Sequence, residues 1–251
     1  MTPGPMTSEQ PVALVVGGTK GIGRAVSLEL ARSSRTFANY AHDDVAATAL
    51  ETDAASRATP VETIACDISS KDGVDDLVDR VLKQAGRLDV VVFCAVDAYL
   101  VSAVDATEER WWQAMRTNAA PFLWLGQRLA QTTAGPGRLI GLTSPFSRRY
   151  VEGYAAIGPS KAALESLVVY LAVELAPRGI TVNAVSGGLV DTELLRSRVP
   201  EKALDAWARR TPVARLGEAT DIVSLVAWLA GDGSEWMTGQ VLTMDGGYFL
   251  R

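Results

Sequence analysis

Short apolar runs rich in β-branched residues alternate with longer amphipathic runs along nearly the whole chain, and few folds accommodate that order. The short runs cover residues 12–16, 36–40, 61–66, 90–95, 139–143, 181–185 and 241–244. They read as strands buried on both faces, because apolar residues run on without the polar alternation of a half-exposed strand. Helical runs lie between them, at 22–33, 45–56, 71–85, 107–133, 161–176 and 219–230. Strict strand–helix alternation predicts an α/β protein with one doubly wound parallel sheet of about seven strands and helices on both faces. A single domain is expected over residues 11–251, preceded by a disordered lead at 1–10 with no basic or apolar region of a secretory signal. Residues 191–212 interrupt the alternation just past a strand's carboxyl end. Ligands of such sheets bind there, so this stretch reads as a substrate lid.

Composition removes several function classes. With 24 Lys and Arg against 29 Asp and Glu, the net charge is −5, which argues against a nucleic-acid partner. The six tryptophans, without a basic patch around them, read as core or interface residues. No apolar run reaches the roughly 18 residues of a membrane helix, so a cytoplasmic protein is expected. The two cysteines, Cys66 and Cys94, fit neither a disulfide framework nor a metal site, and the single histidine, His42, argues against a histidine-based metal site or relay. No metal is expected.

Residues 12–16 run directly into Gly17-Gly18-Thr19-Lys20-Gly21-Ile22-Gly23, and a helix follows. Strand, glycine turn and helix N-terminus come in the order that a dinucleotide pyrophosphate needs. Glycines let the backbone approach the phosphates, and the helix start offers free N–H groups and a partial positive charge. Lys20 lies within reach of an adenosine 2′-phosphate, or is simply a surface lysine. The second strand ends Asn39-Tyr40-Ala41-His42, without the acid that binds the ribose of NAD at that place. Together these favour NADPH over NADH, although Asp43 and Asp44 follow closely and either repel a 2′-phosphate or begin the next helix. Asp67, after the third strand, either touches the adenine or caps the following helix.

The strongest signal is Ser144-Pro145-Phe146-Ser147-Arg148-Arg149-Tyr150-Val151-Glu152-Gly153-Tyr154, followed at Lys161 by Lys161-Ala162-Ala163-Leu164-Glu165. With the glycine turn, Asn118, Asn183-Ala184-Val185-Ser186-Gly187-Gly188, Thr192 and Asp245-Gly246-Gly247, the chain resembles the short-chain dehydrogenase/reductase family from residue 12 onward. The resemblance implies a Rossmann-like domain, assembled as a homodimer or homotetramer. It implies Tyr154, Lys161, Ser144 and Asn118 as catalytic residues: a tyrosine acid, a lysine on the nicotinamide ribose, an active serine, and an asparagine supporting a relay water. It places the cofactor on Gly17, Thr19, Lys20, Gly21, Ile22, Gly23, His42, Asp67, Ile68, Ala95, Lys161, Gly187 and Thr192.

Most of the family carries Tyr-x-x-x-Lys, but here Ile157 stands at that tyrosine position, and Tyr154 is seven residues before Lys161. This spacing is similar to that of enoyl-acyl-carrier-protein reductases, and the stretch from Arg149 to Thr192 resembles the NADPH-dependent FabL type. The chemistry gives the shift a reason. In carbonyl reduction the hydride lands on the carbon bearing the oxygen. In enoyl reduction it lands on the β-carbon and the charge appears on the thioester oxygen, so the acid must sit farther away. Three residues of helix amount to about 4.5 Å. Pro159 leaves two placements open: Tyr154 and Lys161 on one helix face, or Tyr154 on a loop before a helix starting near Gly158. Either way, Lys161 is expected to lower the tyrosine's pKa by its charge.

The expected activity is therefore NADPH-dependent reduction of the C=C bond of an enoyl thioester, the thioester being carried in some pathways on an acyl carrier protein. Carrier proteins are acidic, so a docking patch must be locally basic, with Arg148, Arg149, Arg196, Arg198, Arg209 and Arg210 as candidates. A 3-oxoacyl, carbonyl or imine reductase is the alternative. Phe93-Cys94-Ala95-Val96 replaces the family's Asn-Asn-Ala-Gly and raises a third reading, a dinucleotide-binding regulator without turnover. Cys94 itself reads as a buried, inert thiol.

Overall fold

A computed structural model describes residues 10–57, 59–133 and 135–250, so the lead expected at 1–10 lies, apart from Gln10, outside the described residues. Seven strands pair side by side: β1 (Val12–Val16), β2 (Arg35–Tyr40), β3 (Val61–Ala65), β4 (Val90–Phe93), β5 (Gly137–Thr143), β6 (Ile180–Gly187) and β7 (Val241–Met244). Their order is β3-β2-β1-β4-β5-β6-β7 and every neighbouring pair is parallel. The expected doubly wound, Rossmann-like sheet is therefore observed. The chain leaves β1 toward β2 on one side and returns to β4 on the other, which opens a crevice at the carboxyl ends of β1 and β4.

The β1 register shows why the strands read as unbroken apolar runs. Val12, Leu14 and Val16 enter one core layer, with Phe37, Val91, Phe93, Leu139 and Val182. Ala13 and Val15 enter the other, with Val90, Val92, Ile140, Leu142 and Val185. The first layer is closed by α3 (Lys71–Ala85), α5 (Ala120–Thr132) and α6 (Ile157–Leu175), through Val74, Leu77, Phe122, Leu125, Leu164 and Val168. The second is closed by α1 (Gly21–Leu30) and α9 (Ala219–Ala230), through Val26, Leu30, Ile222, Val226 and Leu229. A smaller cluster of Leu28, Ala38, Leu50, Ala54 and Val61 seats α2 (Asp44–Ser56) beside α1. Among the described residues, no helix is long and apolar enough to cross a membrane.

One expectation changes. The long helix over 107–133 is two helices, α4 (Glu108–Asn118) and α5, separated at Ala119. Pro121 sits in the first turn of α5 and has no N–H for the carbonyl one turn back, so the ladder of α4 ends there. The break leaves Asn118 as the last residue of α4. The stretch 191–212, read as a lid, consists largely of two short helices, α7 (Glu193–Arg198) and α8 (Glu201–Arg210).

Phe122 joins the sheet to the helices under the carboxyl end of β4. Its ring lies 6.1 Å from that of Phe93, and a Cβ on Gly141 would come within 3.0 Å of it. Phe122→Ala empties that space and should lower stability by about 3–5 kcal/mol. Urea unfolding checks this, with a lower midpoint and an unchanged slope expected.

Candidate active site

Val16 ends β1, and the chain turns at once. Gly17 has φ of +72°, and a Cβ there would meet the backbone of Ala95 at 2.8 Å. A Cβ on Gly23 would meet the carbonyl oxygen of Gly17 at 2.1 Å. The turn therefore closes on itself and on the chain after β4 only with bare backbone. Gly21 begins α1, and its Cβ position lies 3.8 Å from the Thr192 methyl, so Thr192 faces the helix start across the crevice. Thr19 is buried. Ile22 packs at the edge of the core layer under α1. The structure thus brings Gly17, Thr19, Gly21, Ile22, Gly23, Ala95 and Thr192 together around the free N–H groups of α1. Gly187 ends β6 on the same side of the sheet. A pyrophosphate fits this arrangement.

The adenosine end is more particular. Lys20 Nζ lies 2.6 Å from Asp43 Oδ2, and that contact holds the Asp43 carboxyl below the usual carboxylate range. Asp43 also accepts the Ala46 N–H at 2.9 Å and so caps α2. Asn39 turns inward, donating to the carbonyl oxygens of Ile64 at 3.2 Å and Cys66 at 2.9 Å. It ties β2 to β3 and offers nothing to a ribose. His42 is exposed just beyond it. Asp67 is exposed, with Oδ1 accepting the Ser69 N–H at 2.9 Å. Ser70, not Asp67, caps α3, which removes the capping alternative for Asp67. Ile68 is buried in the core.

At the other end, Ser144 follows β5 as the cap of a 3₁₀ turn, Pro145–Ser147. Tyr154 lies on the loop before α6, bridged to Val101, and Pro159 occupies the first turn of α6. This decides between the two placements: Tyr154 shares no helix face with Lys161. Ile157, at the position where most relatives would have tyrosine, is buried. Burial raises the Tyr154 phenol above its ordinary value, and a hydrogen bond with Ser144 opposes the shift. The expected lowering by Lys161 is absent. The Lys161 ammonium instead donates a hydrogen bond to the Leu142 carbonyl oxygen at 2.9 Å and sits 5.8 Å from the Phe93 ring centre. Burial pushes its own pKa down to about 8. Asn118 is fully buried and committed: its Oδ1 accepts the Asp97 N–H at 2.6 Å, and its Nδ2 donates to Asp97 O and Ser160 Oγ. Its side chain frames the loop after β4.

The departure from Asn-Asn-Ala-Gly has a structural account. Phe93 is core, its ring tilted against that of Phe122 and beneath Lys161. Cys94 Cβ lies 3.2 Å from the Cβ position of Gly23, and burial pushes its thiol up to about 12, so it stays neutral and unreactive. Several residues escaped the sequence reading. Phe146 packs edge-on to Tyr154 at 5.7 Å and to Phe249 at 5.3 Å, and Phe249 packs on Tyr248 at 4.9 Å. Asp245 holds this C-terminal turn by accepting the N–H groups of Gly247 and Phe249. Arg149 lies over Phe249 and Arg210 over Tyr248. An aromatic wall with cations on its outer side thus stands beside the phenol. Its only sequence signal was the aromatic pair after Asp245-Gly246-Gly247.

Comparison with known proteins agrees with this geometry. The family model described as "Enoyl-(Acyl carrier protein) reductase" matches residues 16–249. The chain is 34% identical to 1-cyclohexenylcarbonyl-CoA reductase of Streptomyces collinus, over 94% of this chain and 86% of that protein. It is 29% identical to the 3-oxoacyl-[acyl-carrier-protein] reductase FabG of Pseudomonas aeruginosa, over 98% of this chain and all (100%) of that protein. A crystal structure of a short-chain dehydrogenase from Burkholderia cenocepacia in complex with NADP superposes with a TM-score of 0.89 at 30% identity, covering 96% of this chain and 98% of that one. The chain belongs to the short-chain dehydrogenase/reductase family and is an oxidoreductase of the NAD(P)-dependent kind.

Proposed function

We propose that the protein reduces the C=C bond of an enoyl thioester with NADPH, in the manner of the FabL-type enoyl reductases. The observation that carries this is the placement of the acid. Ile157 is buried where a carbonyl reductase of the family has its tyrosine, and the phenol beside Ser144 belongs to Tyr154 on the preceding loop. NADPH, when bound, supplies the hydride. Gly17, Thr19, Gly21, Ile22, Gly23, Ala95, Gly187 and Thr192 would hold its pyrophosphate and neighbouring sugar, His42, Asp67 and Ile68 its adenosine, and Lys161 the nicotinamide ribose. Tyr154 Oη donates a hydrogen bond to the thioester oxygen as it becomes an enolate oxygen, and gives up its proton there. A phenol raised by burial stays protonated at neutral pH, as an acid must. Ser144 orients that phenol, and Asn118 holds the loop after β4. Residues 191–212 act as the lid, its far end packed on Gly246 and Gly247 through Thr211 and Pro212.

A second reading is supported by the Ser144–Tyr154 hydrogen bond and by the FabG relative: reduction of a 3-oxoacyl or other carbonyl group. NADPH oxidation with crotonyl-CoA and acetoacetyl-CoA separates the two. The enoyl substrate should be turned over faster, and reduction of acetoacetyl-CoA alone sinks the enoyl reading. Tyr154→Phe should lower kcat by about 10²–10⁴ with NADPH binding intact. A protein that binds NADPH but turns over neither thioester, nor a panel of ketones and imines, would be the regulator.

We extend the proposal to the partners. Apolar side chains stand in solvent on α6, with Tyr170 66% and Val173 72% exposed, and on α4 with Trp112. These faces suit a homodimer or homotetramer. A carrier-protein patch narrows to Arg149 and Arg210 with Arg198 and Arg209. Arg148 is instead held by Glu165, and Arg196 by Asp191 and Glu201. Replacing Arg149 and Arg210 with Glu should raise KM about tenfold or more for a carrier-bound enoyl thioester and little for a short N-acetylcysteamine thioester. Equal changes for both would refute the patch.

Cofactor choice turns on the Lys20–Asp43 pair. Asp43→Asn frees the ammonium and should lower KM for NADPH several-fold, while Lys20→Glu should raise it about tenfold or more with little change for NADH. Initial rates at low salt measure both.

A further inference from the structure

Glu165 is one turn beyond Lys161 on α6 and has no part in the chemistry above. It is only 4% exposed, yet it carries a carboxylate. Burying such a group is unfavourable unless donors surround it, and here three do. Oε1 accepts the Thr143 hydroxyl at 2.8 Å and the Ser147 hydroxyl at 2.7 Å. Oε2 accepts Arg148 Nε at 2.7 Å. Thr143 is the last residue of β5, and Ser147 and Arg148 end and follow the 3₁₀ turn. Ser144 stands between these donors. Its neighbours on both sides are thus tied to a single carboxylate on the helix that carries Lys161.

We propose that Glu165 is a positioning residue that registers Ser144, and through it Tyr154, against Lys161. The same turn carries Phe146, whose ring packs against Tyr154, so the clamp also holds the near end of the aromatic wall. Among the described hydrogen bonds and ion pairs, these are the side-chain links from the turn to α6, while the Phe146 carbonyl lies against Gly158, where a Cβ would come within 2.9 Å of it. Loss of the carboxylate frees the turn while leaving Lys161 bonded to Leu142 and the glycine turn untouched. A shift of about 1 Å in a reacting group is enough to cost about a hundredfold in rate. The proposal rests on Ser144, Tyr154 and Lys161 being the reacting groups, and not on which double bond is reduced.

The test uses the full chain and the faster of the crotonyl-CoA and acetoacetyl-CoA reactions. Glu165→Ala should lower kcat about ten- to a hundredfold, with KM for NADPH changed less than about threefold. Glu165→Gln keeps an oxygen for the two hydroxyls and should recover most of kcat. In a Ser144→Ala background, Glu165→Ala should cost less than about twofold, because the two act as one unit. Equal losses in both backgrounds, or no rescue by Gln, would overturn the proposal. Hydrogen exchange of the NADPH complex tests the clamp without turnover, so it decides even if neither thioester is reduced and the enoyl reading fails. The amides of Phe146, Ser147 and Arg148 should exchange faster in Glu165→Ala and not in Glu165→Gln. Unchanged exchange in Glu165→Ala, or faster exchange spread over the whole chain, would show a merely structural side chain.

Discussion

The central strands β1 and β4, covered by helices on both faces, are apolar along their whole length, and the rest of the site follows from that constraint. Val12–Val16 and Val90–Phe93 are buried throughout, so neither strand can carry chemistry along its length. The backbone becomes accessible only where the strands stop. At the carboxyl ends of β1, β4, β5 and β6, the chain supplies in turn bare glycine backbone, an apolar floor, a serine and a further pair of glycines. The parallel arrangement brings all four to one edge. Parallel pairing also requires a helix after each strand, which is why a helix N-terminus with unpaired N–H groups faces the same crevice.

The second consequence concerns Lys161. An ammonium brought to that edge from α6 is largely removed from water, and that burial lowers its pKa. The Leu142 carbonyl and the Phe93 ring offset part of it. An asparagine at position 93 would offer a dipole there. Phenylalanine offers a ring face and fills the core layer against Phe122. The unusual Phe93-Cys94 pair is therefore compatible with a charged lysine, and the neutral Cys94 thiol adds no competing anion.

The strands and most helices were legible because they rest on local properties: β-branched runs between glycine-rich turns, and a clear period in helices such as α3 and α9, whose bounds match those read from the sequence. The break at Ala119 was also written locally, in Pro121, but the apolar period ran across it and hid it. The glycine turn was legible because its function needs missing side chains, which sequence displays directly. The aromatic wall was not. Phe146, Tyr248 and Phe249 meet across about a hundred residues of chain, and nothing in either segment alone marks the contact. The same holds for Glu165. A glutamate within a helix reads as a solvated residue until the fold places Thr143, Ser147 and Arg148 over it.

The tyrosine placement shows that the spacing of a motif does not by itself fix its geometry. If Tyr154 lay on α6, its separation from Lys161 would follow from the helical rise, and the shift from the usual spacing would be a fixed translation along the axis. On the loop, that separation is set by other contacts: the bridge to Val101, the Phe146 ring and the Ser144 hydroxyl. Each of these belongs to a different segment, and the helix contributes only the end of the tether, where the Gly158 N–H bonds the Tyr154 carbonyl at 2.8 Å. The acid's position is thus a property of the turn after β5 as much as of the spacing to Lys161. A substitution in that turn can move the phenol without altering the motif, so reductases of this family with identical Tyr–Lys spacing need not aim their acid at the same oxygen.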